Sequence, residues 1–355
     1  MNGKGGGSVV HKENYYSLVN HFGENNVVQY PIYRRGNTNK IRMFFNDILA
    51  LGFGGLSNED KKKMVSIIIQ NDIKLVFIDS SIFGCLAGYL KRKTQVKVVV
   101  FFHNIEYDYW KNQIKLEHSY SHSYRIPLAK INESSAAKYS DVIITLTKKD
   151  SDRLHSLYGR HADHIIPVGI RDNFTTCNKS TLVSEQLNLL FFGSSFPPNL
   201  EAADILITQI LPWVDADVLI AGKGMEVLKK KYSNIPKLTI HGYVDNISDM
   251  YDSADVVVMP IISGSGMKVK TAEALAYGKN IIATSNALEG YEVDGIAGII
   301  RCDSVVDFIN AIKTLDRSLT KYNDKARELF LSKYSLDSSF VAYKQVYDNL
   351  FADKV

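Results

Sequence analysis

Short, unbroken apolar runs recur along this chain, and helix-length amphipathic segments separate them. In the first half they are NVVQYPI (26–32), IKLVFID (73–79), VKVVVFF (96–102) and DVIITLT (141–147). In the second half they are LNLLFFG (187–193), DVLIAG (217–222), KLTIHG (237–242), DVVVMP (255–260) and NIIAT (280–284). Strands with no polar alternation must be covered on both faces, and helices between them make the pairing parallel. The expected fold is α/β, with two doubly wound parallel-sheet domains facing across a cleft. A length of 355 residues suits two domains rather than one core. The polar stretch RDNFTTCNKSTLVSEQ interrupts the rhythm and reads as a linker over 171–186. It leaves a first domain over 1–170, a second over 187–335 and a closing segment over 336–355.

Composition narrows the function classes. The net charge of +4 is too mild for a nucleic-acid binder, which needs a concentrated basic stripe. Cys85, Cys177 and Cys302 lie far apart with no CxxC pair, which fits a reducing compartment and excludes a zinc knuckle or disulfide framework. No secretory signal pattern opens the sequence, and its apolar runs are far too short to span a bilayer. A cytoplasmic location is expected.

The most informative stretch is SGSGMKVKTAEALAYGKNIIAT (263–284). It leads from a buried strand through a Gly-Ser turn into a helix start. Free backbone N–H groups and the helix dipole favour an anion there, and Lys268 and Lys270 add full charge. Glu273 lies on the same helix face as Lys270. Its carboxylate could accept from sugar hydroxyls, or could simply pair with that lysine. Phosphate and hydroxyls side by side describe a nucleotide-sugar. Ligands of such sheets sit at the carboxyl ends of strands. His103 and Asn104, Gly193, Ser194 and Ser195, Gly222, and Gly242 with Tyr243 all follow apolar runs and share that edge. His103 also has an ordinary reading as a hydrogen-bonded structural histidine. Asn199, after Pro197 and Pro198, reads as a helix N-cap, with a donor contact as the alternative. Asp215 and Asp217 spell a DxD but precede a strand, so they belong to the opposite edge. No tightly held metal or cofactor is expected. His118 and His122 alternate with Tyr120 and Tyr124 and suit a sugar-facing loop better than a metal site. The apolar segment IRMFFNDILALGFGGL (41–56), followed by three lysines, reads as a core helix, with a peripheral membrane contact as the alternative.

The second half resembles the retaining GT-B glycosyltransferases of the family 4 type. The resemblance rests on FFGSSFPPNLEAADIL, DVLIAGKG, IHGYVDNISDMYDSADVVVMP, GSGMKVKTAEALAYGKNIIAT and NALEGYEVDG, in order and normally spaced. In the first half FFHNIEYDYW, SDVIITLTKKDSDRL and HIIPVGI are similar to the acceptor-side domain, and KYSLDSSFVAYKQVYDNLF resembles the closing helices that cross back to it. The resemblance implies two Rossmann-like domains and a role for each matching residue. Glu273 would hold the donor ribose. Gly266, Met267 and Lys268 would meet the diphosphate, with Lys270 as a second basic position and Lys268 also stabilising the leaving group. Tyr243 would lie at the nucleobase, Gly193 and Ser194 at the donor, and Gly6 and Gly7 close to the sugar phosphates. His103 would stand beside the donor sugar as a catalytic residue.

Three departures modify this picture. Ser265 replaces a second glutamate common in the family. GSSFPPN stands where many members carry an Arg and a Lys, so Lys268 and Lys270 would carry most of the diphosphate charge. MNGKGGGSVV resembles the glycine loop that follows the family's first strand, so that strand is expected upstream, with an altered first domain as the alternative.

The function implied is transfer of a sugar from a nucleoside diphosphate donor, UDP or GDP type, to a hydroxyl of a glycan or lipid-linked glycan in surface polysaccharide synthesis. A nucleotide-sugar epimerase of the same shape and a catalytically silent partner subunit are the alternatives. A lipid-linked acceptor would place the protein at the inner membrane face.

Overall fold

The computed structural model describes residues 6–32, 44–45, 47–49, 51, 55–117, 123–174, 186–264, 266–316 and 318–352. The chain divides into two compact units, Met1–Pro167 with Phe340–Val355, and Val168–Ser339.

The first unit opens on α1 (Gly6–Phe22), so Gly6 and Gly7 begin a helix. Next comes α2 (Asn58–Gln70), started by a capping box in which Ser57 and Asp60 satisfy each other's backbone N–H. Strands β1 (Leu75–Ile78), β2 (Lys97–Phe102), β3 (Val142–Thr145) and β4 (His164–Ile165) pair in that order, all parallel. Helices α3 (Cys85–Lys93), α4 (Glu106–Glu117), α5 (Arg125–Tyr139) and α6 (Lys148–Tyr158) alternate with them. The run in β2 fixes this layering. Val98, Val99, Val100, Phe101 and Phe102 are all fully buried, so neither face of the strand can meet water. Each such side chain stabilises the fold by about 1.5–3 kcal/mol. Val98, Val100 and Phe102 share a core with Leu86, Leu90 and Ala136.

The expected strand over 26–32 does not form. Glu24–Asn26 is a 3-10 turn and the residues after it have no regular structure. Pro31 removes a ladder donor, and Val28 is exposed rather than buried. Only Tyr30 and Ile32 pack on the core, with the Tyr30 hydroxyl donating to Asp60 at 2.9 Å.

The second unit holds β5 (Leu187–Phe192), α7 (Pro197–Ile205), β6 (Ala216–Ala221), α8 (Val227–Lys231), β7 (Leu238–Ile240), α9 (Ile247–Ser253), β8 (Val256–Met259), α10 (Val269–Ala276), β9 (Asn280–Ala283), β10 (Ile299–Arg301), α11 (Val305–Lys313) and α12 (Asp324–Leu329). The parallel sheet runs β10-β9-β8-β5-β6-β7, so its order reverses at β5. Doubly wound sheets open a ligand crevice at such a switch point. The short β10 is absent from the apolar runs read off the sequence, because its three residues are only half-buried or exposed.

Of the expected linker, 175–185 lies outside the described residues. Its start is anchored: Arg327 of α12 pairs with Asp172 and lies over the Phe174 ring.

The last helix, α13 (Leu336–Phe351), has its residues from 340 onward in the first unit. There Tyr343 meets the ring of Phe77, which stacks on Phe101 of β2. The Tyr347 hydroxyl lies 2.9 Å from Ser17 Oγ of α1.

Candidate active site

In the second unit the loops after β5, β6 and β7 are stitched along the carboxyl edge. Gly193 N–H donates to Ala221 O at 2.9 Å, Ser195 N–H to Lys223 O at 2.9 Å and Gly222 N–H to Gly242 O at 3.1 Å. Glycine is required at Gly222: φ is +137°, and a Cβ there would stand 2.1 Å from the Gly193 carbonyl oxygen. Gly193 is confined less severely: a Cβ there would stand 2.9 Å from Lys270 Nζ, the mobile end of a side chain.

Across the switch point, the loop after β8 turns on Gly264 (φ +95°) and Gly266 (φ +72°). Ser265 between them lies outside the described residues. Asn286 Nδ2 donates to Gly264 O at 2.9 Å, and the Tyr291 hydroxyl donates to Lys268 O at 2.8 Å. Lys268 is the N-cap residue of α10, and its ammonium donates to Gly266 O at 2.6 Å. Met267 is half-buried beside it.

Lys270 and Glu273 stand one turn inside α10. They make no ion pair with each other. Lys270 Nζ instead donates to Asn199 Oδ1 and sits 5.2 Å from the Phe191 ring centroid. Burial pushes its ammonium down to about 8, opposed in part by Glu273. The same burial pushes the Glu273 carboxyl up to about 7, opposed by Lys270. Among the described residues no hydrogen bond reaches that carboxylate. Both groups are therefore poorly compensated where they stand, the condition that marks ligand-binding positions.

Asn199 is not an N-cap. Pro197 takes the first helical position, for which its fixed φ suits it, and Phe196 becomes the N-cap. Asn199 is 9% exposed and bridges the two loops, donating to Ser194 O at 2.8 Å while accepting from Lys270. Tyr243 is 73% exposed after β7. Asp215 and Asp217 lie at the amino end of β6 and are taken by Lys237 and Gln186.

In the first unit His103 follows β2, and Asp79 follows β1 on the adjacent strand. His103 Nε2 lies 3.0 Å from the Asp79 carbonyl oxygen and 3.3 Å from its Oδ1. His11 of α1 places Nδ1 2.6 Å from Asp79 Oδ2, and its ring centroid is 4.4 Å from that of His103. Burial pushes the Asp79 carboxyl up, but hydrogen bonds from His103 and His11 outweigh this and hold it low. The bond to Asp79 raises His11, against its own burial. One nitrogen or oxygen from each of the three residues lies within 4.8 Å of the others. Both carboxylate oxygens already accept hydrogen bonds, which describes positioned histidines rather than an open metal site. Sequence reading missed His11 and Asp79. The available signal was Asp79 itself, a carboxylate closing an apolar run.

His118, Tyr120 and His122 lie outside the described residues. Of the segment 41–56, Phe45, Ile48, Leu49 and Leu51 are exposed, and Phe44 packs on Tyr124 at 4.9 Å. Among the described residues no helix is long and apolar enough to cross a membrane.

Two parallel-sheet units of this kind, the second reversing at β5, define the GT-B fold. Solved structures share it. Sucrose-phosphate synthase from Thermosynechococcus elongatus is 15% identical with a TM-score of 0.61, covering 84% of this chain and 80% of its own. A glycosyltransferase from Rickettsia africae is 16% identical with a TM-score of 0.62, covering 95% and 88%. The Anabaena protein HepE, solved in complex with UDP and glucose, is 13% identical with a TM-score of 0.57, covering 83% and 81%. No curated protein matches by sequence. Residues 186–317 match the family described as glycosyl transferases group 1. That match lies within the second unit, and together with the shared fold it supports a glycosyltransferase enzyme.

Proposed function

We propose that the chain moves a sugar from a nucleoside diphosphate donor of the UDP or GDP type to a hydroxyl of a glycan or lipid-linked glycan, with retention at the transferred carbon. The observation that carries this reading is the pairing of Lys270 with Asn199 across a glycine-lined switch point, beside a Glu273 carboxylate without a partner. A diphosphate would complete Lys268, Lys270 and the first N–H groups of α10. Ribose hydroxyls would complete Glu273. Charge builds on the departing diphosphate during transfer, and fixed cations stabilise it where it forms. Gly193 and Ser194 border the same place, Gly266 and Met267 supply loop backbone, and Tyr243 would lie against the base. No protein-held metal is needed in this scheme. On the acceptor side Gly6, Gly7 and His103 are the residues the family resemblance assigns to the sugar and its phosphates. A role in surface polysaccharide synthesis at the inner membrane face fits the exposed Phe45, Ile48, Leu49 and Leu51 beside a lysine-bearing helix. Liposome flotation tests this part: Phe44→Ser with Phe45→Ser should lose binding, and equal binding by both proteins would end it.

One observation favours a second reading. Epimerases of this shape rely on histidines and carboxylates to move protons, and His11, Asp79 and His103 are such a set. Incubation of the purified chain with donor alone, then with donor and acceptor glycans, separates the two. Transfer only when acceptor is present supports the proposal; an epimer formed from donor alone replaces it.

A further inference from the structure

The cluster in the first unit has a defined proton arrangement. Carboxylate and carbonyl oxygens only accept, so each histidine must donate through the nitrogen facing Asp79. For His103 that nitrogen is Nε2, and for His11 it is Nδ1. Asp79 is itself oriented from behind. Asn14 Nδ2 donates to Asp79 Oδ1 at 2.5 Å, and the Tyr343 hydroxyl of α13 donates to Asn14 Oδ1. Asn14 and Tyr343 are each 1% exposed, so bulk water does not substitute in this relay. The His103 ring is wedged between Phe101, 4.8 Å away, and His11. The side chains differ in access: His11 is 44% exposed and His103 15%.

We infer that Asp79 joins His11 and His103 into one ligand-facing pair of opposite character, in which His103 offers Nδ1 as an acceptor to a hydroxyl and His11 offers a charged Nε2–H to an anionic oxygen. The 2.6 Å contact between His11 and Asp79 has the length of a charge-assisted bond. A sugar phosphate presents both groups, a hydroxyl and an anionic oxygen, to two imidazoles whose ring centroids lie 4.4 Å apart. Asp79 acts through both rings and is a positioning residue. The charged and titratable groups around the pair include Asp79 from the end of β1, Glu13 buried on α1, and Tyr343 and Tyr347 from α13. The inference rests on the proposed transferase reading for its ligand but not for its proton arrangement.

Nitrogen-detected NMR of the full-length wild-type chain tests the arrangement without any substitution. His103 should carry a proton on Nε2, and the His11 midpoint should lie above that of a free imidazole because Asp79 bonds its ring. In Asp79→Asn the His11 midpoint should fall, while His103 keeps its tautomer through the unchanged Asp79 carbonyl. Transfer by Asp79→Asn and by His11→Gln should drop about ten- to a hundred-fold, with the melting temperature nearly kept. Added inorganic phosphate should shift the His11 nitrogen signals in the wild type. A His103 without a proton on Nε2, a His11 midpoint no higher than that of a free imidazole, or His11→Gln with unaltered kcat and donor KM would each overturn the pair. If the wild type transfers no sugar at all, the functional reading falls while the NMR result still decides the proton arrangement.

Discussion

The two units present polar groups at the same edge of a parallel sheet but with opposite electrostatics. In the second unit burial works against both ionised groups, pushing Lys270 down to about 8 and Glu273 up to about 7. Neither has a charged partner in bonding range. In the first unit Asp79 and His11 move the other way, because each bonds its opposite and those bonds outweigh burial. A group whose charge is uncompensated gains most from a ligand that supplies the missing charge. On the proposed reading a ligand completes the charges of the second unit, whereas the first unit's pair is already bonded through Asp79 and meets a ligand with its outer nitrogens.

The largest effect expected from this contrast is on turnover. Lys268→Ala with Lys270→Ala should cut transfer by about a thousand-fold, since each fixed cation or donor at a developing oxyanion contributes about a hundred- to a thousand-fold. The fold should stay intact, because Lys270 is a buried charge without a charged partner. Initial rates and melting curves check both halves, and a fully active double variant would remove the distinction between the units.

The next effect is on stability, and glycine separates the units here too. Gly222→Ala drives a Cβ to 2.1 Å from a backbone oxygen at a φ of +137°, and should cost about 3 kcal/mol. Gly159→Ala in the first unit also meets a left-handed φ of +74°, but with nothing within 4 Å. It should cost about 1 kcal/mol. Denaturant melts of the two variants read the difference directly; equal costs would mean that the belt of loops after β5 and β6 is not tightly held.

A smaller effect follows from titration. Below about 8 Lys270 is charged and above it the charge is lost, so donor affinity should weaken as pH rises through 8. Above about 7 Glu273 is ionised and below it becomes a poorer acceptor, so affinity should also weaken as pH falls through 7. Calorimetry across pH 6 to 9 should show strongest binding between these values. Glu273→Gln should lose about ten-fold in affinity, in line with the worth of a charge-assisted bond, and should flatten the acidic side of the profile.

How much of this is legible in the sequence also differs between the units. The residues proposed to hold the donor lie in two short stretches, 193–199 and 264–273, each next to an unbroken apolar run, so strand-end reasoning reaches them. Even there the bridging role of Asn199 is hidden, because Pro197 shifts the helix start and turns a plausible cap into a buried linker. The first unit's cluster draws on residues 11, 14, 79, 103 and 343. Of these only His103 and Asp79 carry a local signal, each standing at the end of an apolar run. Asn14 and Tyr343 meet only because α13 returns to α1, a contact across 329 positions that no local pattern encodes. The apolar run over 26–32 misleads for a related reason: its composition suits a strand, but Pro31 and the solvent around Val28 decide otherwise.

The most direct test is nucleotide binding by the loops after β5 and β8. Melting temperatures of the wild type and of the Lys268→Ala, Lys270→Ala double variant should be compared with UDP, GDP and ADP. A nucleotide at about a hundred times its Kd adds about 2.7 kcal/mol to the folded state. At least one of UDP and GDP should therefore raise the wild-type melting temperature by several degrees and leave the double variant unmoved. No shift with any nucleotide, or an equal shift in both proteins, would contradict a diphosphate held at Lys268 and Lys270.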